Sequence, residues 1–373
     1  MFQNAQLFIL PPLWAWITPL PDTVHRSSGL LRYSPRQIFS DMKNHMLLPL
    51  LAFLFVLNTG CNSLSEKTSS TDATPEPYAY ALVLHGGAGS MNFQSVTEEQ
   101  QVKYKHSLDS ALQLGLDLLR EGGSSLDAVE TVIRCLEDNP LFNAGKGAVF
   151  TSEGKNELDA SIMTGWDLNA GAVAGVTNIK NPITAARAVM EKSEHVMLAG
   201  HGAEVFSEQE GLDIVAPSYF YTQKRFESYQ RSKEKEKHGT VGCVALDSKG
   251  NLCAGTSTGG MTNKKYGRIG DAPIIGAGTY ANNKTCGVSA TGHGEFFIRW
   301  AVAHDISALM EYRDYDVEAA AKEVVEKKLV EVGGSGGVIC LDRFGRVAMI
   351  TNTSGMFRAY GNSEGERLVA IFK

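Results

Sequence analysis

The sequence predicts an α+β fold, a four-layer α-β-β-α sandwich in which two packed sheets are flanked by helices. Three observations carry this. Each half of the chain contributes strands and helices without the regular βαβ alternation of a doubly wound sheet. Two hairpins are written into "TVGCVALDSKGNLCAGTS" and "GGVICLDRFGRVAMIT", the first turning at Lys249-Gly250-Asn251. The 38 glycines cluster in short motifs rather than low-complexity tracts, which suggests tight turns and close backbone approaches.

In chain order, "YALVLHGGAGS" is an apolar strand running into a glycine turn. Residues 97–121 carry Leu108, Ala111, Leu112, Leu116 and Leu119 at helical spacing, and "EGG" closes that helix. Ser124-x-x-Asp127 reads as a helix cap opening "LDAVETVIRCLED". Short strands are expected in "GAVFTSEG" and "ELDASIMTG" around a turn, then in "AGAVAGVTNI". Asn181-Pro182 starts a helix, and "GHGAEVFSEQEG" is a short one. From Gln223 to Gly239 no face can be buried, which reads as a mobile linker. After Thr240 the pattern is β first again: the hairpin, the strand "CGVSATG", one helix over "EFFIRWAVAHDISALMEY", another over 316–331, and the second hairpin.

The 373 residues, 43% hydrophobic and 20% charged with a formal charge of −6, describe a globular protein with enough length for a large core. Mild acidity without a basic stripe argues against nucleic-acid binding. Residues 42–61, "MKNHMLLPLLAFLFVLNTGC", join a Lys to a short apolar run ending on Thr-Gly-Cys. This resembles a bacterial lipoprotein signal with Cys61 lipidated, and implies an exported protein, periplasmic or membrane-anchored. Asn58 stands where such signals carry an aliphatic residue, so a plain signal peptide or an uncleaved anchor remains the alternative. Met42 reads as a natural start, which would make 1–41 an over-extended reading frame, and 62–79 reads as a polar tether. No C-x-x-C or Cys/His cluster suggests a metal site, and the remaining cysteines read as small buried thiols.

The stretch "RSKEKEKHGTVGCVALDSKGNLCAG" carries the chemistry. A solvated charge run stops at His238-Gly239, and Thr240 begins an apolar β segment. A surface loop entering a hairpin explains most such junctions, and strand propensity explains a threonine there. The alternative is a chain cut before Thr240. That frees a hydroxyl nucleophile together with an α-amine whose reference pKa, about 8, suits a general base at neutral pH. No G-x-S-x-G elbow competes with it.

The surroundings decide. "HGTVGCVALDSKGNLCAGTSTGGMTNKKYGRIGDAPIIGAGTYANN" with "TGHGE", and upstream "HGGAG", "LDAVE", "PLFNAGKGAVF", "ELDASIM" and "AGAVAGV", closely resemble the plant-type asparaginase and isoaspartyl peptidase family of N-terminal-nucleophile hydrolases. The resemblance covers nearly all of 80–373. It implies an α chain, 80–239, and a β chain, 240–373, produced by self-cleavage at Gly239-Thr240 and staying together, in an assembly of two such pairs. It implies hydrolysis of L-asparagine and β-aspartyl peptides, with Thr240 as nucleophile and base and Thr258 in "TSTGG" beside it. Thr291 and Gly292 in "TGHGE" would form the oxyanion hole. Arg268 and Asp271 in "GRIGD" would grip the substrate's α-carboxylate and α-ammonium, with the Gly294 carbonyl beside the ammonium and Asn143 lining the nucleophile region. A surface ion pair is the plainer reading of Arg268 and Asp271. The loop 136–146 matches the family's sodium loop, implying a structural sodium ion on the backbone carbonyls of Leu136, Glu137, Asn139, Phe142, Ala144 and Lys146. No catalytic cofactor is implied. The rival activity is that of glycosylasparaginase, which typically has "TSTNG" where this chain has "TSTGG" at 256–260. A rival of another class is a non-catalytic lipoprotein keeping the fold as a binding module.

Overall fold

Alternation along the strands explains how this chain stacks its layers. The computed structural model describes residues 77–90, 96–231 and 239–373; the leader with Cys61, most of the tether, and the charge run at 232–238 lie outside the described residues. In β1 (Ala81–Gly89), Leu82 and Leu84 join one apolar cluster while Ala81 and Val83 join another. In β5 (Val241–Leu246), Val241, Cys243 and Ala245 go with the first cluster, and Val244 and Leu246 with the second. Side chains two residues apart share a face, so each of these strands has two buried faces and separates two apolar layers.

The first cluster lies under α1 (Glu98–Arg120), α2 (Ser125–Glu137) and α3 (Pro182–Lys192). The second fills the space between the sheets, joining Val83 and Val244 to Ile339 and Leu341 of β9 (Gly336–Asp342). A third packs β8 (Cys286–Gly292) and β9 against α7 (Val302–Arg313) and α8 (Val317–Lys322). Helices, sheet, sheet, helices: the four layers expected from the sequence are present.

Among the described residues one sheet has eight strands. In spatial order it begins with β12 (Arg367–Phe372), β11 (Gly355–Asn362), β1, β5 and β6 (Leu252–Thr258). It ends with β2 (Leu158–Thr164), β3 (Ala170–Val176) and β4 (Met197–Ala199), and is antiparallel except at the β3–β4 edge. The four-stranded sheet runs β10 (Val347–Thr351), β9, β8, β7 (Thr279–Ala281). Both expected hairpins form, β5 with β6 and β9 with β10. The expected cap forms as well, with Ser124 Oγ accepting from Asp127 N at 3.1 Å, and α1 opens on a reciprocal capping box between Thr97 and Gln100.

Three segments differ from expectation, each because of contacts that a strand or helix pattern does not register. "GAVFTSEG" is not a strand. Val149 N donates to Asn143 Oδ1, and Asn156 Nδ2 donates to Ala148 O and Val149 O, so side-chain amides take the groups a strand would pair. The single helix over 295–312 is broken at Ala301, φ 47°, giving α6 (Gly294–Arg299) and α7. Ala303 N and His304 N donate to the carbonyls of Ala277 and Gly276 and re-aim the chain there. The linker expected over 223–239 is corrected over its first half, where Gln223–Arg231 is helical (α5, following the short helix α4, Gly200–Gln209). Phe226 and Tyr229, three residues apart, set their rings 5.7 and 5.9 Å from that of Phe150, a narrow apolar stripe inside a charged stretch.

Candidate active site

The layer between the sheets is apolar at one end and polar at the other, and the same alternation makes both. Past Val83 on its face of β1 comes His85. Before Val244 on its face of β5 come Gly242 and Thr240, and after Ala254 in β6 come Thr256 and Thr258. In β8, Cys286, Val288 and Ala290 face the outer helices, which leaves Ser289 and Thr291 facing inward. A Cβ on Gly242 would lie 2.0 Å from Ser289 Oγ and 2.5 Å from His85 Nε2, so only glycine lets the sheets close there. Ser289 Oγ sits 3.0 Å from His85 Nε2 and 2.6 Å from Thr256 Oγ1. Thr279 and Ser161 extend this buried hydroxyl chain to the carbonyl of Ala272. Burial pulls the pKa of His85 down to about 3, so its imidazole is neutral at neutral pH.

At the polar end sits the Gly239–Thr240 peptide bond. The Gly239 carbonyl oxygen accepts two hydrogen bonds, from Asn143 Nδ2 at 2.8 Å and from Thr258 Oγ1 at 2.9 Å. Thr258 Oγ1 accepts from Thr240 Oγ1 at 3.2 Å and from Gly260 N at 2.9 Å. Asn143 is fully committed, its second N–H going to Gly260 O and its oxygen accepting from Val149 N. Gly87, with φ of 110°, brings backbone against this bond: a Cβ there would stand 3.3 Å from Gly239 Cα and from Thr240 N. The next residue, Ala88, donates its N–H to Thr291 Oγ1 at 3.2 Å, which leaves the threonine's own proton free to donate elsewhere.

Arg268 and Asp271 meet at Gly294, whose Cβ would lie 2.8 Å from Arg268 Nη2 and 2.8 Å from Asp271 Oδ1. They are not the exposed ion pair of the plainer reading. Asp271 is 6% exposed, and its Oδ2 has no hydrogen-bond partner. Arg268 instead makes a two-pronged pair with Glu295, Nε to Oε1 and Nη2 to Oε2, both at 2.9 Å. That guanidinium holds the Glu295 carboxyl down at about 2, against its partial burial. Asp271 goes the other way: burial raises it to about 7, more than Arg268 nearby can offset.

Glu295 closes the motif "TGHGE", and its position opening α6, four residues after Thr291, is the sequence signal for it. Lys264 is not singled out by the sequence. It is buried behind Thr258, with Nζ 3.5 Å from Glu157 Oε2 and 3.8 Å from Asp159 Oδ2, and Asp159 is the strand partner of Thr258. Cys243 and Cys253 are buried free thiols. In the loop 136–146, the carbonyls of Leu136, Asn139 and Ala144 accept the N–H groups of Asn139, Phe142 and Gly147 in turn. Gly145 packs against Glu137 O and Gly147 against Phe142 O, positions that a Cβ would fill. A second lone pair on each carbonyl is the donor type a hard cation takes. Among the described residues no group of three or more His, Cys, Asp or Glu side chains is placed to hold a metal.

A four-layer sandwich with a threonine at the head of a central strand defines the class of N-terminal-nucleophile hydrolases. A family model described as asparaginase matches residues 78–238 and 227–371. The chain is 46% identical over 307 residues to the isoaspartyl peptidase of Escherichia coli, covering 78% of this chain and 96% of that protein. It is 42% identical to the plant-type L-asparaginase of Pyrococcus horikoshii, over 75% of this chain and 95% of that one. It is 40% identical to the isoaspartyl peptidase/L-asparaginase of Mus musculus, over 76% and 88%. The chain belongs to the asparaginase family.

Proposed function

We propose that this chain is a self-processing threonine hydrolase that cleaves the side-chain amide of L-asparagine and the isopeptide bond of β-aspartyl peptides. The observation that carries it is the Gly239 carbonyl, held by Thr258 Oγ1 and Asn143 Nδ2 beside the hydroxyl of Thr240. When Thr240 Oγ attacks the Gly239 carbonyl carbon, negative charge builds on an oxygen that already accepts two hydrogen bonds. The C–N bond then breaks, its nitrogen takes up the proton the Thr240 hydroxyl gave up and leaves as the α-amine of Thr240, and water hydrolyses the ester left on the threonine.

The freed amine, with an ordinary pKa of about 8, takes the hydroxyl proton in the second reaction. Thr240 Oγ attacks the β-carbonyl of a substrate whose α-carboxylate meets Arg268 and whose α-ammonium meets Asp271 and the Gly294 carbonyl. Thr291 Oγ1, fixed from behind by Ala88 N, and Gly292 N donate to the new oxyanion. Ammonia or an amino acid leaves, and water releases aspartate from the β-aspartyl ester. The reading includes a pair of cleaved units in the assembly, a sodium ion on the 136–146 carbonyls, and lipid anchoring of an exported protein through Cys61, the last resting on "LNTGC" after the apolar run and on the polar tether that follows. Glycosylasparaginase activity is disfavoured by "TSTGG" at 256–260 and by the names of the relatives. The test is intact-mass analysis with product assays. Purified protein should give a smaller chain running from Thr240 to Lys373, and should release ammonia from asparagine and aspartate from a β-aspartyl dipeptide. A single uncut chain inert on both substrates overturns the reading.

A further inference from the structure

A cleft of ≈ 690 Å³ opens beside the scissile bond. Two of its lining residues touch the scissile bond, Gly87 packing on Gly239–Thr240 and Asn143 binding the Gly239 carbonyl, and a third, Gly292, follows Thr291 in the chain. Arg225, from α5, is the only charged side chain among the described residues that line it, and no Asp or Glu is among them. Its Nε donates to Gly147 O at 2.7 Å and its Nη2 to Leu141 O at 3.3 Å. A guanidinium has five N–H groups. Two are thus spent on neutral carbonyls, and the positive charge has no anion among the described residues to answer it. Burial works against that charge and lowers the pKa of Arg225 from the usual guanidinium value, so a bound anion would relieve a cost the cleft carries when empty.

Asparagine gives this cation nothing to hold, because its leaving group is ammonia. A β-aspartyl peptide leaves as an amino acid or short peptide whose C-terminal carboxylate departs with the scissile nitrogen. Building on the hydrolase reading above, we propose that the cleft is the leaving-group subsite, and that Arg225 binds the C-terminal carboxylate of short β-aspartyl peptides. The reach suits this. Arg225 is anchored on Leu141 O, two residues before Asn143, and two residues span at most about 7 Å. The guanidinium therefore lies within a short peptide's length of the Gly239 carbonyl. The subsite makes short isoaspartyl peptides, rather than asparagine, the substrates that use every part of the site.

The experiment compares kcat/KM for β-aspartyl-leucine and β-aspartyl-leucinamide, which differ only in the terminal charge, with asparagine as the check on activity. Wild type should favour the free acid by about tenfold or more, the low end for a hydrogen bond to a charged group. Arg225→Gln should bring the acid-to-amide ratio close to one, and Arg225→Lys should keep part of the preference. Equal rates on acid and amide in the wild type overturn the subsite, as does an unchanged ratio in Arg225→Gln. The wild-type ratio decides alone if Arg225→Gln fails to process. Inactivity of the wild type on all three substrates overturns the hydrolase reading itself, an outcome distinct from activity without discrimination.

Discussion

The chain surrounds two of its arginines, Arg268 and Arg225, in opposite ways. Arg268 is clasped by Glu295 through two 2.9 Å bonds, with Asp271 and Asp159 close enough to act on its charge. Arg225 has two backbone carbonyls and no carboxylate among the described residues. A substrate α-carboxylate reaching Arg268 has to displace or share Glu295, but it arrives with an ammonium group that Asp271 lacks. An anion reaching Arg225 displaces nothing. In the proposed reading the first surroundings take a zwitterion and the second a lone negative charge, which is the difference between the retained half of a β-aspartyl peptide and its departing half.

The largest effect is expected where both halves depend on one atom. Thr240→Ala removes the attacking hydroxyl, so the chain should stay full length on a denaturing gel and show no asparagine hydrolysis. A band pair cut at Gly239–Thr240 in this variant would falsify self-processing by Thr240. Next comes Asn143→Ala, which removes one of the two donors to the Gly239 carbonyl. Loss of a single donor to a developing oxyanion costs about 10²–10³ in rate. Precursor half-life should lengthen by that order, measured on protein whose circular dichroism confirms the fold. Cleavage at the wild-type rate would show that the 2.8 Å bond to Gly239 does not act in the reaction.

Arg268→Lys probes the zwitterion side alone. A lysine ammonium cannot reproduce the planar two-pronged grip on a carboxylate. The variant should still cut itself, since the Gly239 carbonyl offers no α-carboxylate, while kcat/KM for asparagine falls by about 1.5–3 kcal/mol of transition-state stabilisation. Unchanged hydrolysis by a correctly cut variant would remove Arg268 from the substrate site.

The comparison between the two arginines also marks what a sequence can disclose. Arg268, Asp271, Thr258 and Thr291 sit in short motifs near a β-strand or turn, so the residues around each one announce it. The strands and long helices were legible for a similar reason: period-two and 3.6-residue patterns are local, as in Leu108, Ala111 and Leu112 of α1. Arg225 had no such neighbours. Its partners Leu141 and Gly147 lie 84 and 78 residues away, and the surrounding Lys and Gln made the stretch look unburiable. The same cause hid the break at Ala301, made by contacts with the 276–277 backbone. The irregular path of residues 147–154 is set by two nearby asparagine side chains, which apolar periodicity does not register. Glu295 is the intermediate case. Its position was visible, but its grip on Arg268 across 27 residues was not.

The smallest expected effect reads the balance of charge on the zwitterion side. Asp271 is held at about 7 chiefly by burial; Arg268 pulls it down, and Glu295 pushes it up. Only the ionised carboxylate attracts an α-ammonium, so kcat/KM for asparagine should climb as pH rises through about 7. Stability moves the other way. The folded-state pKa lies above the ordinary 3.8, so the native state binds the proton more tightly. Asp271 therefore favours folding fully below the unfolded pKa, and that contribution is lost as pH rises towards 7. Glu295→Gln removes the negative charge beside Asp271 and leaves Arg268 without its carboxylate partner. Both changes favour ionised Asp271, so the lower inflection of the kcat/KM profile should move to lower pH, while the inflection of the Thr240 amine near 8 gives an internal reference. In Asp271→Asn the lower inflection should vanish, with a large rise in KM. If the lower inflection persists in Asp271→Asn, or stays in place in Glu295→Gln, then Asp271 is not the group that titrates and the zwitterion reading of Arg268, Asp271 and Glu295 fails. Arg225→Gln should leave this inflection where it is, because nothing that sets the charge of Asp271 includes that residue.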